Sequence, residues 1–214
     1  MGVSESPKRR AGRPSAPVLS RELIVATALR LLTERGETGA GMRDIARELG
    51  VHPSALYNHV DGQEDLLGGV RELVSDAIDV SGFGDEPWDV ALERWARSYR
   101  DAFAAHPPTI GLLAVLPLTH AARTVQMYER VCAGMMDAGW DADRTLSVIV
   151  AMENFILGSA LDRSAPPDML DPREEEAPSL RTAFDERSRR LAGTSPADDA
   201  FEIGLADADA VVGD

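Results

Sequence analysis

The sequence is poor in the residues that most often carry covalent or metal chemistry. It has one cysteine, Cys132, and four histidines in 214 residues. A single thiol excludes an intrachain disulfide framework, which suits a reducing compartment. The histidines, the thiol and the carboxylates form neither a nucleophile–base motif nor a cluster at metal-ligand spacing. No catalytic residue, metal or cofactor is therefore expected, and the chain is not read as an enzyme. Long hydrophobic runs are also missing. The most extended strongly apolar run, Ile110 to Leu118, is about half of what a membrane helix requires. The first twenty residues are basic and polar, without the apolar stretch of a secretory signal. No strand-period alternation and no internal repeat appear. The expectation is a soluble, cytoplasmic, all-α protein with no membrane partner.

Charge is present in abundance and is unevenly placed. The net charge is −14, which looks wrong for a nucleic-acid binder until the chain is divided. Residues 1–60 hold nine Lys/Arg against six Asp/Glu, and the remainder holds thirteen against thirty. The positive end is thus the part suited to face phosphate. Lys8, Arg9, Arg10 and Arg13 lie among Gly12, Pro14 and Pro17, which prevent regular structure. Residues 1–19 are read as a flexible basic arm that follows the DNA backbone or enters a minor groove.

Helical periodicity organises the rest. Ser20 is a good N-cap for a helix carrying Ile24, Ala28, Leu31 and Leu32, which Gly36 ends. Met42, Ile45, Ala46 and Leu49 fall on one stripe, and Gly50 follows where a left-handed residue turns the chain. Pro53 then opens a new helix. Residues 42–49, Gly50-Val51 and 53–60 read as helix, tight turn, helix, a pattern whose second helix enters the major groove. Asp61, with Glu64 three residues on, is expected to cap a fourth helix reaching about Asp79. Ser81-Gly82-Phe83-Gly84 is a break. Beyond it, Trp88, Leu92, Trp95, Tyr99 and Phe103 form an aromatic-rich stripe that Pro107-Pro108 interrupts. A short helix to about Leu116, another carrying Val125 to Met135, and a largely apolar one after Asp141 or Asp143 follow. Residues 163–178 read as a mobile acidic loop, and two more helices begin near Ser179 and Ser195.

The stretch MRDIARELGVHPSALYNHVDGQEDLL, from Met42 to Leu67, strongly resembles the helix-turn-helix of the TetR family of transcriptional regulators. The matching elements are Ile45-Ala46, Leu49-Gly50-Val51, Leu56-Tyr57, His59 and the approach to Leu66-Leu67. A looser likeness runs through Trp88, Trp95 to Phe103, Gly139-Trp140, Phe155-Ile156-Leu157-Gly158 and Ala200 to Leu205. The resemblance implies a helix-turn-helix domain over residues 20–66 and a ligand-binding and dimerisation domain over 67–214. It also implies a homodimer, paired through helices beginning near Asp143 and Ser195, on a double-stranded palindromic operator. A small-molecule effector would release a repressor. An activator, or a DNA binder without an effector, stays open.

By position, Arg43 is the expected base reader, since Arg can grip guanine with two parallel bonds. His52, Pro53, Ser54 and Ala55 occupy the groove-facing start of helix three, and Tyr57 and His59 match phosphate-gripping positions. Two departures weaken the expected grip: Gly41 replaces a hydroxyl residue, and Gln63 stands where many members carry Lys. Positions that hold a magnesium–tetracycline chelate elsewhere in the family carry Asp79, Leu113 and Trp95 here, which disfavours that ligand. Trp95, Tyr99, Phe103, Leu112, Leu113, Leu116, Met127, Val131 and Phe155 are the expected apolar lining, with His106, Gln126 and Asn154 as polar anchors for an apolar or aromatic effector. The acidic run at 206–210 is expected to shorten or rearrange the last helix's part of the dimer interface.

Overall fold

The computed structural model describes residues 18–172 and 177–212. Helix α1 spans Arg21–Arg35 and α2 spans Met42–Leu49; α3 is the single turn Pro53–Leu56, and α4 runs Gln63–Ser75. After a break come α5 (Trp88–Ala104), the short α6 (Ile110–Leu113), α7 (Ala122–Asp137), α8 (Ala142–Asp162), α9 (Pro178–Arg190) and α10 (Pro196–Val212). No strand occurs among the described residues, so the all-α expectation holds. The basic arm lies outside them, and the side chains of 207–210 do too.

The helix boundaries follow local chemistry. The Ser20 hydroxyl accepts the Leu23 N–H at 3.2 Å, the expected N-cap of α1. Gly50 adopts φ 67°, ψ 29°. Its N–H reaches the Arg47 carbonyl at 3.2 Å, and the Val51 N–H reaches Ala46 at 3.0 Å. Those two bonds close α2 in the manner of a Schellman cap.

Two expectations need correction. Helix three is shorter than 53–60: after Leu56 the chain continues as hydrogen-bonded turns, with His59 and Val60 both donating to the Leu56 carbonyl. Asp61 is not the cap of α4. Gly62, at φ 141°, holds that position, and Asp65 does the work assigned to Asp61 and Glu64. Its carboxylate takes the Asp61 N–H at 2.9 Å and grips both Arg21 guanidinium nitrogens at 2.7 and 2.8 Å. The Arg21 bonds hold the Asp65 carboxyl below its ordinary range against the opposing effect of burial. Helix four is thereby clamped to α1 at its first turn. It also ends earlier than Asp79, at Ser75.

Helix α4 is the element shared by both halves of the molecule. Leu66, Leu67, Val70 and Val74 are buried on it. Gly68 lets it lie directly against the segment before α7: a Cβ there would stand 2.5 Å from the His120 carbonyl oxygen. Behind it, fully buried side chains of the C-terminal half include Trp95 on α5, Ile149 on α8, Met135 on α7 and Phe201 on α10. Helix α9 buries no residue and is held at its ends by arginines. Arg181 bonds the Pro172 carbonyl and pairs with Asp171 at 2.9 Å; Arg190 grips Asp199 at 2.7 and 2.6 Å.

Gly68→Ala separates propensity from packing. Alanine in an open helix interior adds about 1 kcal/mol. Here the expected result is a loss of about 1–3 kcal/mol from the clash, read as a lower thermal midpoint. A raised midpoint would mean the α4 contact is not as close as described.

Candidate DNA interface and effector site

The helix-turn-helix presents a coherent outer face. Arg43 stands exposed in the first turn of α2. The other arginines between 18 and 60 are paired: Arg21 with Asp65, Arg30 and Arg35 with Glu48, Arg47 with Asp44. Arg43 carries no ion pair among the described residues, so its planar fork is available to a base edge. Gly41, as expected from its lack of a hydroxyl, gives α2 no side-chain cap.

His52 has a role that sequence did not reveal. Its Nδ1 accepts the Ser54 backbone N–H at 3.3 Å and lies 2.8 Å from the Ser54 hydroxyl, capping α3. Accepting at Nδ1 leaves Nε2 as the N–H of a neutral ring, a donor directed away from the cap. Ser54 is exposed, Pro53 and Ala55 half-buried, and Leu56 fully buried. Tyr57 is 56% exposed, unusual for an aromatic with a core alongside, and His59 is half-buried. Arg9, Arg10 and Arg13 lie outside the described residues.

The expected effector residues divide into two groups. Trp95, Tyr99 and Phe103 on α5, with Leu113, Met127 and Val131, all belong to the buried core that runs through both halves. Trp95 and Tyr99 are edge-on at 5.3 Å, and Tyr99 and Phe103 lie 5.1 Å apart. The Trp95 Nε1–H is buried without a partner among the described residues. Leu116 packs on this cluster half-buried. Phe155 leans the other way and stacks on Phe201 of α10 at 5.4 Å.

The three expected polar anchors are not brought to the cluster. His106 reaches towards α1: the Thr33 hydroxyl donates to the Leu29 carbonyl and receives the His106 Nδ1–H at 2.8 Å. That bond ties the two halves together, and burial pushes the His106 ring below its usual range. Asn154 is exposed on the outer face of α8. Gln126 lies in an open cleft of ≈ 610 Å³ between the end of α4 and α7, whose wall includes Met127. Cys132 is half-buried, and burial raises its thiol.

In their place the structure has charges that sequence reading passed over. Glu153 accepts the Tyr99 hydroxyl at 3.0 Å and the Tyr128 hydroxyl on the same oxygen. Arg71 of α4, only 8% exposed, directs its guanidinium at the main-chain carbonyls of Leu113 and Leu116, the latter at 2.5 Å. Arg100, 2% exposed, bonds Asp198 at 2.7 Å and the Ala197 carbonyl at 3.0 Å and lies over the Phe201 ring. One signal was legible: Glu153 falls four residues after Ile149 and three before Ile156, on the buried stripe of α8. Arg71 and Arg100 interrupt the stripes of their own helices in the same way. A charge on a buried stripe demands a partner.

The sequence profile described as bacterial regulatory proteins, tetR family, matches residues 24–70, and that of the tetracyclin repressor-like C-terminal domain matches residues 83–207. The chain belongs to the TetR family. It is similar to the tetracycline repressor protein class C of Escherichia coli, 28% identical over 194 residues and covering 88% of each chain. It also resembles the HTH-type transcriptional repressor DrrR1 of Streptomyces coeruleorubidus, 27% identical over 153 residues; the match takes in 71% of this chain and 56% of that one. Among solved structures, the Streptomyces coelicolor TetR family protein ActR in complex with actinorhodin superposes with a TM-score of 0.71. The identity is 25%, over 91% of this chain and 95% of that one.

In this TetR-family chain, Arg43→Ala is expected to cost about 1–3 kcal/mol of operator affinity and to relax preference at one base pair. Tyr57→Phe is expected to weaken all sequences alike. Anisotropy titrations on an operator and its single-base variants distinguish the two. An Arg43→Ala loss that is uniform across sequences would remove Arg43 from base readout.

Proposed function

We propose that this chain is a homodimeric, cytoplasmic repressor, not an enzyme, that a small aromatic effector releases from a palindromic operator. The observation that carries the reading is the pairing of an exposed DNA face with a buried link behind it. Arg43, the capped start of α3 and exposed Tyr57 form the face. Helix α4, clamped to α1 by Asp65 and to the end of α6 by Arg71, forms the link. His52, Ser54, Ala55 and His59 supply the remaining contacts, with Arg9, Arg10 and Arg13 following the backbone.

Helices α8 and α10 support the dimer. Leu146, Val150 and Leu161 on α8 and Ile203 on α10 are exposed apolar side chains. Together they form a surface that a second copy would cover. The same stripe explains why α8 is long and apolar enough, by length and composition alone, to cross a membrane. The aromatic cluster of α5 is the effector site, and the cleft beside Met127 is its access route. An aromatic effector is consistent with the relative solved with actinorhodin.

Release then follows linkage. An effector lowers operator affinity only by its differential affinity for the two states, and near-complete switching needs roughly a 10⁴-fold preference. The test is anisotropy on fragments flanking the chain's own gene, across a salt series, with and without the planar aromatic probes aminoacridine and acridone. Saturable, palindrome-specific binding that at least one probe weakens is expected. Sequence-blind binding abolished by modest salt would contradict the repressor reading.

A further inference from the structure

We infer that the Glu153 carboxylate, held by the Tyr99 and Tyr128 hydroxyls, is the polar anchor of the effector site and selects aromatic effectors that carry a protonated amine. This rests on the effector reading above and names the chemistry of its ligand.

Three helices converge on one oxygen. Tyr99 of α5 and Tyr128 of α7 both donate to Oε1 of Glu153 on α8. Each phenol has a single O–H, so both donors are committed. Oε2 takes no hydrogen bond or ion pair among the described residues. An ionised carboxylate accepts at about four lone-pair positions, and half of that capacity is open.

The charge itself is what a structural role leaves unexplained. A neutral amide would join the two hydroxyls without the penalty of burying an ion. Here burial pushes the Glu153 carboxyl above its usual range, while the two phenols and Arg71 pull the other way. Arg71 acts only through space, because its bonds go to the Leu113 and Leu116 carbonyls. A cation at Oε2 would complete the pairing, and Tyr99, with Trp95 and Phe103 packed against its ring, would supply the aromatic side that cations and planar groups favour. Arg71 and the bound amine would then repel each other across Glu153, which loads the binding event onto α4.

The test uses the full-length dimer without DNA and three probes of one size: aminoacridine as the cation, acridone as the neutral ring and acridine carboxylate as the anion. Fluorescence titration gives a Kd for each against wild type, Glu153→Gln and Tyr128→Phe, with folding checked by circular dichroism and the dimer by ultracentrifugation. Wild type should bind the cation at least about tenfold more tightly than the neutral probe, with the anion weakest. Glu153→Gln should bring cation and neutral probe to within about twofold, and Tyr128→Phe should keep the order. A wild type that prefers acridone, or a charge order that survives Glu153→Gln, overturns the inference and leaves the aromatic site standing. Should Glu153→Gln fail to fold, the wild-type and Tyr128→Phe orders decide. Binding of none of the three counts against the site itself and takes the inference with it.

Discussion

A buried guanidinium holds this structure's logic together. Arg71 sits on α4 and donates to the carbonyls of Leu113 and Leu116, where α6 ends. The last carbonyls of a helix have no partners within it, and a cation there is favoured by the helix dipole as well. Removing an arginine from water is expensive unless its N–H groups are satisfied. Arg71 therefore satisfies the Leu116 carbonyl and adds a second bond to the Leu113 carbonyl, which already accepts the Leu116 N–H at 3.2 Å. The contact runs from the effector half to the helix that enters the DNA-binding half.

Other contacts make that link rigid rather than merely adjacent. Arg21 and Asp65 fix the first turn of α4 to α1. Gly68 brings its backbone side against the His120 carbonyl with no room for a methyl group. His106 and Thr33 join α1 to the segment that leads into α6. A shift at the end of α6 thus has few soft places in which to dissipate before it reaches the recognition turn. Packed interiors respond to such shifts as alternatives between discrete arrangements.

Periodicity and capping made most of the fold legible. The stripe from Met42 to Leu49, Gly50 and Pro53 define the turn because each meets a local steric demand that no distant contact overrides. The errors came where distant contacts did override. Asp61 has the right residue type for a cap, yet Asp65 displaced it because Arg21, 44 residues away in sequence, reaches it. Asn154, Gln126 and His106 are polar residues near an aromatic stripe in sequence, but helical phase leaves Asn154 exposed and Gln126 in the cleft along α7, and His106, beyond the end of α5, bonds Thr33. Glu153 has the phase to face inward and was overlooked because charge was read as exposure. The proposed base and phosphate readers sit on one short motif, whereas the proposed effector site draws on α5, α6, α7 and α8.

Arg71→Met probes the coupling between α6 and α4, since methionine keeps much of the length and burial without the N–H groups. The measurement is operator affinity with and without aminoacridine, for wild type and variant, on dimers of matched melting temperature. The variant should still bind operator, and the effect of aminoacridine on that binding should shrink by at least about tenfold. A variant that answers the compound as wild type does would show that the signal reaches α4 by another path.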